Sequence, residues 1–187
     1  FYASSLSDAD INQIYRDEKT KYDLSFFLDA GNTSSYPGSG AIWYDISGAA
    51  KTADIRSGMS YAAAAAGCMY YNGSTYSNFS FNRNGATTIT VEMWVYPTAM
   101  SGGMFFGFYQ YCVFTSNGAL GFNTSNSDLY GLTSSQTTGF LNNWKHYVFV
   151  MKSGSVTSNK IYVNGVQQSL SQVLGSPDNT YTNFNGG

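Results

Sequence analysis

Residues 142–151 show a period of two in which β-branched and aromatic side chains alternate between two faces. The residues of one face alternate with those of the other: Trp144, His146, Val148 and Val150 against Lys145, Tyr147, Phe149 and Met151. This periodicity, together with many β-branched and aromatic side chains, predicts a half-buried strand. A second strand is predicted in residues 160–166, where the Asn164-Gly165 dipeptide is typical of a type I′ turn. The two segments predict the middle of an antiparallel sheet.

Further strands are predicted at short, regular intervals along the chain. They cover residues 24–29, 43–46, 67–72, 77–81, 88–96, 104–115, 119–123 and 129–132. Asn-Gly pairs such as Asn117-Gly118 mark tight turns between several of them. Short strands joined by such turns predict an all-β fold, a two-sheet antiparallel sandwich.

Residues 1–21 contain the one segment with a helical pattern. Ser7 is a suitable N-cap and Asp10 occupies the capping-box position three residues later. The apolar side chains that follow form one narrow stripe: Ile11, Ile14 and Tyr15. The pattern predicts one short N-terminal helix that lies on a surface.

Three stretches resemble the laminin-G-like, or concanavalin A-like, jelly-roll domains. In the first, a Trp-x-His strand beginning at Trp144 is followed by Tyr-Val-Asn-Gly at residues 162–165. In the second, residues 88–97 end in Trp-Val-Tyr-Pro, and in the third, residues 28–48 resemble the opening of such domains in phage, virus and bacterial surface proteins. The resemblance implies a jelly roll over residues 24–187. Residues 1–23 are then a strand end and helix that close this unit or a neighbouring one.

The position of residues 1–23 leaves several arrangements open. The segment resembles the element that follows the last strand of these domains, although here it comes first. The chain is then circularly permuted, or it is one period of a repeat array whose first residues close the preceding unit. A third arrangement has these residues complete the sheet of a neighbouring subunit by strand addition. The fourth is an ordinary helix packed on its own domain.

Composition and charge narrow the classes of partner. The net charge is −2 and only 11% of the 187 residues are charged, with no basic cluster that would follow a phosphate backbone. No apolar run approaches the roughly 20 residues of a membrane helix. We therefore expect no nucleic acid and no membrane insertion. The resemblance implies as partners other copies of the chain, other virion or surface proteins and host glycans, at an extracellular or virion surface.

Catalytic chemistry is not indicated by the residue pattern. A glycosidase needs two carboxylates about 5–9 Å apart, whereas the neighbours of Glu92 on its strand face are Thr90 and Trp94, neither of them acidic. His146 is the single histidine, so a cluster of histidine metal ligands is excluded and a structural role is predicted. The sequence predicts that the protein is not an enzyme.

Aromatic residues are the candidates for binding sugars, because their rings stack on the apolar face of a pyranose. Trp94 and Tyr96 share one face of their strand. Tyr109 and Tyr111 share a face of another predicted strand. The sequence does not say which of these faces is turned to solvent.

A calcium site is the cofactor site that the resemblance implies. Asp and Asn oxygens at a loop end would form it: Asp29, Asn32 and Asp45, with Asp128 or Asp178 contributed from elsewhere. The alternative is that Asp29 and Asp45 fix turns through bonds from side chain to backbone. The two cysteines, Cys68 and Cys112, are expected to be buried free thiols, with a disulfide bond between them as the alternative.

These features predict a non-catalytic surface interaction module. The role expected from the resemblance is a virion decoration or fibre protein that mediates assembly or glycan adhesion. The alternatives are a carbohydrate-binding module of a secreted bacterial protein and a glycoside hydrolase. An exposed aromatic groove would favour the carbohydrate-binding module, and a second carboxylate near Glu92 would favour the hydrolase. Contacts above about 1,000 Å² between identical chains would favour assembly.

Overall fold

The computed structural model describes residues 24–79, 85–124, 127–182 and 184. The chain divides into two compact units, residues 1–82 and residues 83–187. The helix predicted within residues 1–21 lies outside the described residues. The assignment of residues 24–187 to one domain stays a prediction.

The described part of the first unit contains two antiparallel hairpins. Their strands are β1 (Ile42–Tyr44), β2 (Thr52–Asp54), β3 (Met59–Ala62) and β4 (Cys68–Tyr71). A 3-10 turn at Ala64–Ala66 joins β3 to β4. The prediction of a strand at residues 24–29 is wrong. The Phe27 amide donates to the Asp45 side chain, and the Phe27 carbonyl accepts from the Ile46 N–H. A side chain therefore takes the place of a neighbouring strand there.

The second unit contains two antiparallel sheets. The four-stranded sheet has the order β12-β11-β10-β5, and the five-stranded sheet the order β13-β9-β8-β7-β6. Their strands are β5 (Thr88–Val95), β6 (Met104–Phe108), β7 (Tyr111–Ser116), β8 (Ala119–Asn123), β9 (Leu129–Leu132), β10 (Lys145–Lys152), β11 (Lys160–Val163), β12 (Val166–Gln167) and β13 (Ser171–Leu174). Two 3-10 turns lie at Val156–Ser158 and Asn179–Tyr181. The described structure is all-β with antiparallel pairing throughout, which confirms the predicted fold class.

The core of this unit lies between the inner faces of the two sheets. The alternation along β10 turns Tyr147, Phe149 and Met151 inward, where all three are fully buried. Phe149 meets Phe122 of β8 edge to face, with ring centroids 6.3 Å apart. Because β8 and β10 belong to different sheets, this contact shows that the two sheets pack face to face as a sandwich.

Two glycines allow β8 and β9 to approach closely on the outer face of the five-stranded sheet. Gly121 and Gly131 lie opposite each other in the ladder. A Cβ added to Gly131 would lie 2.4 Å from the Gly121 Cα atom, a distance that no side chain tolerates. The pair leaves the centre of this face without side chains.

The strand predicted over residues 104–115 is two strands, β6 and β7, joined by the two-residue turn Tyr109-Gln110. Tyr109 adopts φ 48°, a conformation that a bulky residue seldom takes. No Gly, Asn or Pro marks this turn, so the apolar pattern runs straight through it. The hairpin was missed for that reason.

Both cysteines are free thiols. Cys112 is buried, as predicted, and burial, with the nearby Asp128 charge adding to it, raises its pKa to about 12. Cys68 is only half-buried. In the part of the chain that the structure describes, none of the helices has the length and apolar character needed to span a bilayer.

Candidate functional site

The outer face of the four-stranded sheet carries a line of aromatic rings. Trp94 of β5 and His146 of β10 lie opposite each other in the ladder, and their ring centroids are 5.2 Å apart. Tyr96 and Trp144, which flank these positions, are 5.6 Å apart. We refer to these four residues as the aromatic row. Trp94 is 65% exposed, so its ring is available to a ligand.

Period-2 alternation explains why these rings face solvent. Along β5 the exposed positions are every second residue, including Glu92 and Trp94. Along β10 the positions between the buried core residues are only half-buried, including His146. Antiparallel pairing then places the two outward sets side by side, because residues opposite each other in a ladder project to the same face.

One member of the aromatic row, His146, forms a polar pair with Glu92. The His146 Nε2 atom lies 2.8 Å from Glu92 Oε1, a hydrogen bond that orients the imidazole ring. The His146 amide donates to Asn164 Oδ1 in the turn after β11. The Glu92 side chain is 68% exposed and keeps acceptor capacity for a ligand. His146 was predicted to be structural, and the strand alternation that it shares with Trp144 was the one signal of its place in the row.

Tyr109 does not belong to this surface. It lies in the β6–β7 turn of the five-stranded sheet, with 85% of its surface exposed. It lines a cavity of about 470 Å³ together with residues of β7 and of the β8–β9 connection. The predicted aromatic candidates are thus divided between two sites.

Tyr111 was predicted as a ligand-binding residue, and the structure contradicts this because its side chain is fully buried in the core. Its hydroxyl accepts a hydrogen bond from Asn159 Nδ2 and donates to the Lys152 carbonyl oxygen at 3.2 Å. Burial raises the pKa of Tyr111 to about 12. The turn at Tyr109-Gln110 ended the alternation on which the shared face of Tyr109 and Tyr111 was predicted.

Replacing Tyr111 with phenylalanine is expected to lower the free energy of unfolding by about 1–2 kcal/mol. The change leaves the buried Asn159 amide without its partner. Urea denaturation followed by circular dichroism measures the loss. Tyr147→Phe is the matched control, since among the described residues the buried Tyr147 hydroxyl has no hydrogen-bond partner and its removal should cost nothing. Equal losses in the two variants would contradict a role for the Tyr111 hydroxyl.

The three calcium candidates of the first unit each hold the local backbone. Asp29 Oδ1 accepts from Gly31 N–H at 2.9 Å, and Asn32 Oδ1 from Ser34 N–H at 2.9 Å. Asp45 Oδ1 accepts from the amides of Phe27 and Ser47. These contacts correspond to the alternative, in which the side chains fix turns.

The other two candidate oxygens lie in the second unit. Asp178 caps the 3-10 turn at Asn179–Tyr181 by accepting from the amide and hydroxyl of Thr180. Asp128 accepts from the amide and hydroxyl of Thr124. Within residues 24–79, 85–124, 127–182 and 184, no three His, Cys, Asp or Glu side chains are grouped as metal ligands. The described residues therefore offer no carboxylate cluster for calcium, which prefers six to eight oxygens.

Two antiparallel sheets packed face to face, with exposed aromatic side chains on one outer face, place the second unit in the class of antiparallel β-sandwiches. The family model described as the concanavalin A-like lectin/glucanases superfamily, laminin G type, matches residues 71–187. The chain belongs to this family. Searches of the curated proteins and of the solved structures found no match.

Membership of this family limits the range of possible functions but does not identify one. The superfamily includes both lectins and glucanases by its own description. It supports a carbohydrate-binding or adhesion-type module, and it leaves the choice between binding and hydrolysis to the residues of the site.

Proposed function

We propose that this protein is a non-catalytic carbohydrate-binding module that holds a glycan on the aromatic row. The observation that carries the proposal is the position of Trp94, Tyr96, Trp144 and His146 side by side on one outward sheet face. Carbohydrate sites need exposed rings beside a few polar groups. The row supplies the rings, and the Glu92 carboxylate supplies acceptors for sugar hydroxyl groups.

The exposed apolar surface of the aromatic row can contribute more to ligand binding than to the stability of the fold. Trp94 is the most exposed of the four residues at 65%, so its large apolar surface contributes little to the core. A sugar that covers this ring removes apolar area from water, and this burial favours binding by about 25 cal/mol for each Å² buried. The rigid strands β5 and β10 hold the rings in place before the ligand arrives, which lowers the entropy lost on binding.

The non-catalytic part of the proposal rests on the surroundings of Glu92. Its carboxylate is hydrogen-bonded to His146, and its neighbours on the strand face are Thr90 and Trp94. Asp128 follows β8 of the other sheet and lines a cavity with the outward residues Cys112 and Phe114 of that sheet, on the far side of the sandwich core. Hydrolysis needs two carboxylates about 5–9 Å apart across the sugar. Incubation of the protein with the glycans that it binds should therefore release no new reducing ends. Release by the wild-type protein but not by Glu92→Gln would contradict the proposal.

Replacing Trp94 with alanine is expected to weaken glycan binding roughly tenfold, or about 1.4 kcal/mol. The change removes the most exposed stacking ring but no core contact, so folding should be unaffected. A glycan array identifies the ligand, and isothermal titration calorimetry then compares the variants. Tyr181→Ala is the matched control, because Tyr181 is an exposed aromatic residue of the same unit outside the row. Unchanged affinity in Trp94→Ala would contradict the site.

We place the module at an extracellular or virion surface, with further copies of the chain or other surface proteins as partners. This setting is supported by the resemblance of residues 28–48 to phage, virus and bacterial surface proteins. A carbohydrate-binding module of a secreted bacterial protein would use the same row. Sedimentation at increasing protein concentration tests self-assembly, and a monomer throughout would favour the secreted module.

A further inference from the structure

The cavity beside Tyr109 lies on the outer face of the five-stranded sheet, away from the aromatic row. Its volume is about 470 Å³, enough for a small organic molecule. Cys112 and Phe114 of β7 line it, because they occupy the outward positions of a strand whose Tyr111 and Val113 are in the core. Three polar residues of the β8–β9 connection also line it, Thr124, Ser127 and Asp128. None of these residues takes part in the proposed glycan site.

Asp128 is the unusual residue of this cavity. It is only 1% exposed, and its Oδ1 atom accepts from both the amide and the hydroxyl of Thr124 at 2.7 Å. Its Oδ2 atom is also buried, yet it has no hydrogen-bond partner among the described residues. A buried carboxylate oxygen without a donor is costly, so a ligand that supplies a donor there gains that energy.

Asn123 adds a second acceptor. Its Nδ2 atom donates to the Asp128 carbonyl oxygen at 2.6 Å, which fixes the orientation of the amide. Among the described residues, the only donor to the Asn123 Oδ1 atom is the weak one of the Cys112 thiol at 3.9 Å. The cavity thus has two acceptor oxygens with unused capacity.

The charge of the cavity favours a cation. Asp128 is the single carboxylate among the described residues that line it, and none of them is lysine, arginine or histidine. Tyr109 adds an exposed ring whose face attracts positive charge. Calcium is a poor fit, because two oxygens with unused capacity fall well short of the six to eight that it prefers.

We infer that this cavity is a second binding site, which takes a protonated amine through Asp128, Asn123 and the ring of Tyr109. An ammonium group has three donors and no acceptor, which matches two acceptor oxygens and a ring. An amino sugar and a lysine side chain both carry this group. The site is independent of the glycan proposal, since it lies on the other sheet.

Nuclear magnetic resonance titration tests this inference with D-glucosamine at millimolar concentrations. Glucose and N-acetylglucosamine are the uncharged controls, and lysine amide distinguishes an amino-acid source from a sugar. We expect glucosamine, lysine amide or both to shift the amides of Asn123 and Thr124, and the uncharged sugars to leave them unchanged. Equal shifts from N-acetylglucosamine, binding of calcium alone, or no shift with either amine would overturn the inference.

Two variants test whether the amine binds in this cavity. Asp128→Asn keeps an oxygen for the Thr124 donors but replaces Oδ2 by an amide nitrogen, and it should weaken amine binding at least about tenfold. Tyr109→Asn removes the exposed ring at a turn position that asparagine tolerates, so the fold is retained and a loss of about two- to fivefold is expected. Trp94→Ala should leave amine binding unchanged. Full amine affinity in Tyr109→Asn and in a folded Asp128→Asn would overturn the site, whatever the result for glycans.

Discussion

Replacing Phe149 with alanine is expected to lower the free energy of unfolding of the second unit by about 3–5 kcal/mol. Phe149 is fully buried at the centre of the sandwich, where its ring stacks on Tyr147 at 5.8 Å and meets Phe122 of the opposite sheet. Its loss removes apolar burial and leaves a cavity that the two sheets cannot close without moving closer together and repacking their other core side chains. Guanidinium denaturation, followed by near-ultraviolet circular dichroism, measures the change.

Val148→Ala is the matched control for this experiment. Val148 is the next residue along β10 and projects to the outer face, where it is only half-buried. We expect a loss of about 1 kcal/mol or less. Because a register shift of one residue would exchange the two faces, a larger loss at Val148 than at Phe149 would contradict the orientation of β10.

Replacing Asp45 with alanine is expected to destabilise the first unit by about 3 kcal/mol. The buried Asp45 carboxylate accepts from the amide of Phe27 at 2.8 Å, and from the amide and hydroxyl of Ser47, each at 2.9 Å. Removing a charged acceptor leaves these donors unpaired, which costs more than a neutral hydrogen bond contributes. Amide hydrogen exchange at Phe27 and Ser47 reports the loss locally, without requiring two-state unfolding of the chain.

Two comparisons distinguish this structural role from calcium binding. Asp29→Ala removes one hydrogen bond in an exposed loop, so its cost should stay below about 1 kcal/mol. Chelation of divalent cations should leave exchange at Phe27 and Ser47 unchanged in the wild-type protein. Faster exchange on chelation would contradict the role assigned to Asp45 and restore the calcium site.

The Asp45 contribution should also depend on pH. Burial disfavours the charged carboxylate, but hydrogen bonds from Ser47, Phe27 and Lys51 outweigh this and lower the pKa of Asp45 in the folded protein. The contribution is therefore complete above the pKa of the unfolded chain, about 3.9, and is lost as the pH falls through the lower folded value. Asp45→Asn should remove this part of the acid dependence.

The strands and turns with regular local patterns were predictable from sequence. The alternation at residues 142–151 predicted β10, and Asn164-Gly165 forms a turn in which both residues have positive φ, 50° and 79°, as a type I′ turn requires. Asn117-Gly118 joins β7 to β8 in the same manner. These elements depend on backbone preferences and side-chain alternation, both of which are local.

Elements that depend on pairing between strands, and not on a local sequence pattern, were not predictable. The strands β2 and β13 are edge strands of only three and four residues, too short to show a clear alternation, and pairing with a neighbour is what defines them. The turn at Tyr109-Gln110 has no turn chemistry in its sequence, and pairing between Phe108 and Tyr111 forces the chain to reverse there. Cooperation between strands overrides local preference in each case.

The sequence alone determined that this chain would be an antiparallel β-protein with aromatic residues on its strand faces. Alternation cannot say which face is buried, because both sides of a strand can be apolar when one faces a ligand. Only the packing of one sheet on the other decided that Tyr111 lies in the core and that Trp94 faces solvent. The pairing of β5 with β10 then brought together His146 and Glu92, which are 54 residues apart in the chain.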